Sequence, residues 1–180
     1  DGWLKSTPLG PLGVGLCRLF NVLLGMSVGP PAQNSLVLSF GPGELLAAAG
    51  IGVYIVGVTW FARSEATTSR TWQLIAAMVV MAAGVTLLGL MSLYLPLQSV
   101  EPHVFAALLA LLSFPVLRRC VSAAYDPAPE KVQAAVKQSI LSLIWFDAAT
   151  AIVVAGAAYG IAIAALLLPA LVLGRWVYST

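Results

Sequence analysis

The chain has 180 residues, of which 60% are hydrophobic and 9% are charged, and its mean hydropathy is +0.96. Soluble domains carry about 25% charged residues, so this chain cannot cover a water-facing surface and the lipid bilayer is its natural solvent. Its net charge of +2 is too small to indicate a nucleic-acid partner.

Six apolar runs approach the roughly 20 residues that a helix needs to cross the hydrocarbon core of a bilayer. They predict an all-α fold, a polytopic transmembrane helical bundle that forms a single domain over residues 1–180. In chain order the runs cover residues 9–28, 44–62, 71–95, 104–121, 136–155 and 157–177. Only a few small residues near Gly156 separate the last two runs, which predicts a tight helical hairpin. The alternative is one very long, kinked helix.

Several polar residues at the ends of these runs have a simple structural interpretation. Glu44 follows "GPG" at a helix N-terminus, where the helix dipole favours a negative charge, so we expect it to be a cap. Asp126 and Glu130 are expected to cap the next helix, with Pro129 in its first turn. We expect His103 to be a solvated loop residue.

The basic residues in the loops and at the ends of the spans predict the orientation of the chain. When six spans are threaded alternately, every loop Lys and Arg falls on one side of the membrane, which is the cytoplasmic side by the positive-inside rule. We therefore expect both termini to be cytoplasmic and the protein to lie in the cell inner membrane. These basic residues are Lys5, Arg63, Arg70, Arg118, Arg119, Lys131, Lys137 and Arg175.

Three of the polar residues inside the apolar runs are candidates for more than a boundary role. Arg18 and Asn21 are three positions apart and share one face of the first span. An intramembrane arginine faces a partner or a wet cavity. One interpretation is that Arg18 contacts an anionic group such as a diphosphate, with Asn21 orienting it. The other is snorkelling to the interface with a helix–helix hydrogen bond. Asp147 could pair with Arg18, be neutral or line a cavity, and we favour the structural pairing.

The opening of the chain, "DGWLKSTPLGPLGVGLCRLFNVLLG", resembles the loop and fifth helix of the UbiA-type intramembrane prenyltransferases. Lys5 and Pro11 keep the lysine-to-proline spacing of that family's cytoplasmic Lys-Arg-x-Thr element. Ser6 stands where the arginine usually is, and Thr7 is one place early. "CRLFNVLLG" is closer to a less characterised branch of the superfamily. The resemblance covers most of the chain and implies the C-terminal part of a larger UbiA-like bundle.

The resemblance implies a cavity open to lipid and the transfer of a prenyl group from a prenyl diphosphate to a lipid or aromatic acceptor. In this family two aspartate-rich motifs hold Mg²⁺, which neutralises the departing diphosphate. The second motif falls at "YIVGVTWFARSEATTSR", and its tyrosine resembles Tyr54. The aspartates are missing there, and only Glu65 remains as a weak candidate metal ligand. The first motif belongs to an N-terminal part that we expect to lie outside this chain, so whether the chain is active stays open.

The charged end of "TWFARSEATTSR" is interpreted as an altered active-site rim. Arg63 and Arg70 would then contact the diphosphate directly, because arginine presents a planar fork of donors to phosphate oxygens. The candidate diphosphate-binding residues also include Lys5, Arg18 and Asn21. One alternative for the rim is an ordinary membrane boundary, which also selects Arg and Glu. The alternative for the whole chain is a non-catalytic membrane protein that binds or moves a lipid in the same fold.

Overall fold

The computed structural model of the chain describes residues 9–27, 40–63, 71–95 and 100–169. These ranges form an all-α bundle, which confirms the predicted fold class. Its helices are α1 (Gly10–Met26), α2 (Pro42–Arg63), α3 (Thr71–Leu90), α4 (Pro102–Tyr125), α5 (Pro129–Ala155) and α6 (Ala157–Ala165), and a 3-10 turn, Met91–Leu93, continues α3.

Four of the helices in the described ranges are long and apolar enough to cross a membrane. They are α2, α3 with its 3-10 turn, α4 and α5. Two further apolar helices are shorter, since α1 has 17 residues and the last helical segment covers Ala157–Pro169. The predicted fifth run begins at residue 136, whereas α5 begins at Pro129. Hydropathy identifies the apolar part of a helix, and α5 has a polar first part that hydropathy does not detect.

Helices α2 and α3 make the most extensive contact of the bundle, and glycines allow it. A Cβ atom on Gly84 of α3 would lie 2.5 Å from the backbone nitrogen of Tyr54 and 2.8 Å from the carbonyl oxygen of Gly50. No side chain fits in that space. The two backbones therefore approach closely, as small residues permit in membrane helices.

Helix α1 packs on the middle of α2 in the same way. A Cβ atom on Gly52 would lie 3.1 Å from both the carbonyl oxygen of Gly15 and the Cβ of Leu19. Arg18, between these two α1 residues, therefore lies at about the depth of Gly52. The first span is thus anchored to the centre of the bundle.

A single glycine reverses the chain between α5 and α6. Gly156 has φ 103° and ψ 165°, a backbone conformation that is essentially restricted to glycine. A side chain on Gly160 would overlap Ile152, and its Cβ would lie 2.8 Å from the carbonyl oxygen of Ala148. Residues on either side of Gly156 therefore face one another. The predicted hairpin is confirmed, and the alternative of one long helix is wrong.

The start of α2 has the predicted cap, whereas the start of α4 differs from the prediction. The Gly41 N–H donates a 2.6 Å hydrogen bond to Oε2 of Glu44, which confirms Glu44 as a cap. His103 is exposed but lies in the first turn of α4, so its assignment to a loop is wrong. The helix begins at Pro102, one residue before His103, because proline suits a first helical position.

The connection between α4 and α5 confirms one of the expected features and corrects another. Pro129 is the first residue of α5, as predicted, and Glu130 lies in the first turn. No side-chain hydrogen bond caps this helix, so the capping role expected of Asp126 and Glu130 is wrong. Oδ2 of Asp126 instead accepts a 2.6 Å hydrogen bond from Nζ of Lys131, and this ion pair is exposed.

Candidate functional site

A groove runs between α3 and α4, where small residues leave space between the helices. It consists of two cavities of about 240 and 590 Å³. Both cavities are lined by Val85, Thr86 and Ala110, so they adjoin one another, and together they are called here the α3–α4 groove. Its small lining residues are Ala82, Gly89, Ala106 and Ala110.

The α3–α4 groove extends over much of the thickness of a membrane. One end is lined by His103 and Ser92, at the start of α4 and the end of α3. The other end, called here the basic end, is lined by Leu117 and Cys120, close to Arg118 on the same helix. From His103 to Cys120 the rise along α4 is about 25 Å, at 1.5 Å per residue. The hydrocarbon core of a bilayer is about 30 Å thick, so the groove covers most of that depth.

The hydroxyl groups that line the groove do not offer protons to a ligand. Thr86, Ser92 and Ser113 each donate a hydrogen bond of 2.7–2.9 Å to a carbonyl oxygen three or four residues earlier in the chain. Such bonds to the preceding turn satisfy hydroxyl groups in membrane helices. The groove is therefore effectively apolar, and its walls suit a hydrocarbon chain.

Tyr54 closes the inner wall of the groove. Its hydroxyl donates a 3.0 Å hydrogen bond to the carbonyl oxygen of Ser139, and its ring meets Phe146 edge to face at 5.3 Å between centroids. Only 2% of Tyr54 is exposed. The residue that resembles the motif tyrosine of the family thus joins α2 to α5.

A further cavity, of about 410 Å³, lies between α1, α2, α5 and the end of α3, and is called here the Asp147 cavity. Its polar lining residues are Glu44, Asp147 and Thr150. The rest of the wall is aliphatic or methionine, with Val22 and Ile51 as examples. The cavity shares no lining residue with the α3–α4 groove, so the two sites are separate.

Arg18 and Asp147 interact electrostatically, but they do not form a direct ion pair within 4 Å. The predicted structural pairing is therefore present only as a longer-range attraction. Arg18 and Asn21 are both exposed on α1, as expected for residues that share one face. Asp147 is partly buried and lines the cavity that bears its name.

The predicted diphosphate-binding residues are not gathered in one place within the described ranges. Arg63 is the last residue of α2 and is partly buried. Arg18 lies at the depth of Gly52, so the two arginines are about 16 Å apart along the axis of α2, at 1.5 Å per residue. The other candidates, which lie outside the described residues, are Lys5, Glu65 and Arg70.

The described residues do not fit the magnesium site that the resemblance implies. Mg²⁺ binds carboxylates together with phosphate oxygens and water. Within the described ranges, no three His, Cys, Asp or Glu side chains come together in a way that would hold a metal ion. Glu65, the weak candidate ligand, lies outside those ranges.

Sequence reasoning did not locate the α3–α4 groove, whereas lining a cavity was one of the three possibilities given for Asp147. The signal for the α3–α4 groove was present, since Ala106 and Ala110 are spaced by one helical turn on α4 and small residues recur on α3. The Asp147 cavity had only one signal, an acidic residue within an apolar run.

Comparison of the chain with protein-family models, with curated proteins and with solved structures finds no match. The resemblance to the UbiA-type enzymes therefore stays an expectation from the residues of the chain alone. Within the described ranges, the structure is an all-α bundle with four helices long and apolar enough to cross a membrane, and it contains the α3–α4 groove and the Asp147 cavity.

Proposed function

We propose that the chain is an integral membrane protein that holds the hydrocarbon chain of a prenyl lipid in the α3–α4 groove. The observation that carries this proposal is a pair of adjoining cavities that together extend about 25 Å along α4, by the helical rise, and whose lining hydroxyl groups all donate to backbone carbonyl oxygens. Within a bilayer the competing environment is also apolar, so binding depends on shape and packing. The small alanine and glycine residues in the lining leave room for the methyl branches of a prenyl chain, which a straight acyl chain lacks.

The arginines near the basic end support a phosphorylated head group. Arg118 and Arg119 directly follow Leu117, which lines the groove, and both are exposed. Long basic side chains extend along apolar surface towards the interface, and the guanidinium fork matches phosphate oxygens. We therefore orient the prenyl lipid with its phosphate or diphosphate at Arg118 and Arg119 and its tail towards His103.

Photolabelling tests this function. The probe is a geranylgeranyl chain with a diazirine at its far end, made with a diphosphate or an alcohol head, and added to the purified protein in lipid nanodiscs. We expect the diphosphate probe to label residues near the tail end of the groove, such as Ser92 and His103. A straight-chain probe of equal length should label them less. Labelling spread evenly over outward-facing residues such as Val79 and Leu111 would contradict the proposal.

We infer that the end of the bundle that carries the basic end of the groove faces the cytoplasm, in the inner membrane. The helix ends at this end of the bundle are the C-termini of α2 and α4 and the N-terminus of α5. The basic residues near them are Arg63, Arg118, Arg119, Lys131 and Lys137. A one-sided excess of Lys and Arg supports a cytoplasmic position.

Prenyl transfer is a second proposed function, favoured by the two arginines beside the basic end. In that reaction the allylic C–O bond breaks, its electron pair leaves with the diphosphate, and the allylic carbon bonds to an acceptor that loses a proton. We rank it below lipid binding because the described residues do not supply the expected carboxylates. The test is release of diphosphate from geranylgeranyl diphosphate in the presence of a phenolic acceptor and Mg²⁺. Binding without release would leave lipid binding alone.

A further inference from the structure

The polar side chains that line the Asp147 cavity offer hydrogen-bond acceptors to a ligand. Thr150 donates its hydroxyl proton to the carbonyl oxygen of Phe146 at 2.8 Å, which leaves its oxygen lone pairs available. Glu44 accepts from the Gly41 N–H and retains further acceptor capacity as a carboxylate. Asp147 has no hydrogen-bond or ion-pair partner among the described residues. A polar molecule in this cavity must therefore supply the hydrogen-bond donors.

The location of Asp147 makes a positively charged occupant favourable. It lies eight residues before the end of α5, about 12 Å along the helix, and so within the membrane crossing. A carboxylate at such a depth faces a partner or a cavity, and leaving it without a counter-ion is costly. None of the residues lining this cavity is a Lys or Arg, and Arg18 stays beyond ion-pair distance.

We propose that the Asp147 cavity binds the protonated amine head of an amphipathic molecule, with Asp147 as its counter-ion. An ammonium group has donors and no acceptor, which suits a cavity whose polar side chains are acceptors. The aliphatic wall, including Val22 and Ile51, accommodates the apolar part of the same molecule. A metal ion fits less well, because no three metal-binding side chains meet within the described ranges. This site is independent of the α3–α4 groove.

Matched photoprobes test the site. The probes are a dodecyl chain with a diazirine and either an amine or an alcohol head, added to the full chain in nanodiscs of zwitterionic lipid. We expect the amine to label the α1, α2 and α5 walls of the cavity more strongly than the alcohol. Asp147→Asn keeps the size but removes the charge, and should weaken cavity labelling by the amine about tenfold or more. Glu101→Gln, at an exposed carboxylate outside the cavity, should have no effect.

Two further variants keep the proposal testable if Asp147→Asn fails to fold. Ala151→Leu adds a larger side chain one helical turn from Asp147 and narrows the cavity while Asp147 stays, so amine labelling should fall. Arg18→Leu removes the neighbouring cation that competes for Asp147, so amine labelling should increase. Equal labelling by amine and alcohol, or labelling that Ala151→Leu leaves unchanged, would overturn the proposal.

Discussion

The hydroxyl of Tyr54 donates a 3.0 Å hydrogen bond to the carbonyl oxygen of Ser139, and this contact joins α2 to α5 across 85 positions of the chain. Both residues are 2% exposed. The bond therefore forms away from water and lipid, and the Tyr54 ring is held against Phe146. It fixes the wall against which the proposed prenyl chain would pack.

Removing this hydrogen bond should destabilise the bundle modestly. We expect Tyr54→Phe to lower the free energy of unfolding by about 0.5–1.5 kcal/mol, the usual net value of one intramolecular hydrogen bond. The measurement is reversible unfolding in mixed detergent micelles. Tyr159→Phe is the matched control, because Tyr159 is 64% exposed. Equal unfolding free energies for Tyr54→Phe and the parent would show that the bond contributes nothing.

The close contact of α2 and α3 predicts a strong effect at Gly84. A methyl group there would push the helices apart, and overpacking of this kind costs about 1–3 kcal/mol. We expect Gly84→Ala to lower the unfolding free energy by that amount in the same assay. Gly25→Ala is the control, since a Cβ atom on Gly25 meets nothing within 4 Å. A Gly84→Ala protein as stable as the control would contradict the observed helix spacing.

The helices were predictable because hydropathy and the residues that start or end a helix are local properties of the sequence. Gly156 marked the hairpin, and Glu44 after "GPG" marked a helix start. Small residues on α3 and α4 were a signal for the α3–α4 groove, but its position was not predictable, because neither helix has a polar face that marks which residues oppose each other. The Tyr54–Ser139 bond depends on the register between distant helices, which local pattern does not encode. The expected diphosphate cluster needed Arg18 near Arg63, and the packing of Gly52 on α1 separates them in depth.

The proposed orientation predicts opposite accessibility for the two ends of α4. In a Cys17→Ser/Cys120→Ala background, His103→Cys should react with a membrane-impermeant maleimide in intact cells from which any outer barrier has been removed. Tyr125→Cys should react only after permeabilisation, although Tyr125 is 88% exposed. The reverse pattern would place the basic end of the groove outside the cytoplasm.

The proposed head-group position predicts that two arginines distinguish a diphosphate from an alcohol. We expect Arg118→Gln/Arg119→Gln to weaken binding of the diphosphate probe about tenfold or more, because charge-assisted contacts are lost. Binding of the alcohol probe should not change. Competition with unlabelled geranylgeranyl diphosphate measures both affinities. A loss seen with Arg63→Gln instead would favour the altered rim expected from the sequence and contradict the orientation proposed for the lipid.

The most direct test of the central claim is to block the α3–α4 groove. Ala110 lines both of its cavities, whereas the adjacent Leu111 is 69% exposed and lines neither. We expect Ala110→Trp to abolish photolabelling of Ser92 and His103 by the geranylgeranyl probe, because the indole would occupy the space of the chain. Leu111→Trp adds the same ring on the outward face and should leave labelling at the parent level. Equal labelling of the two variants would contradict lipid binding in the groove.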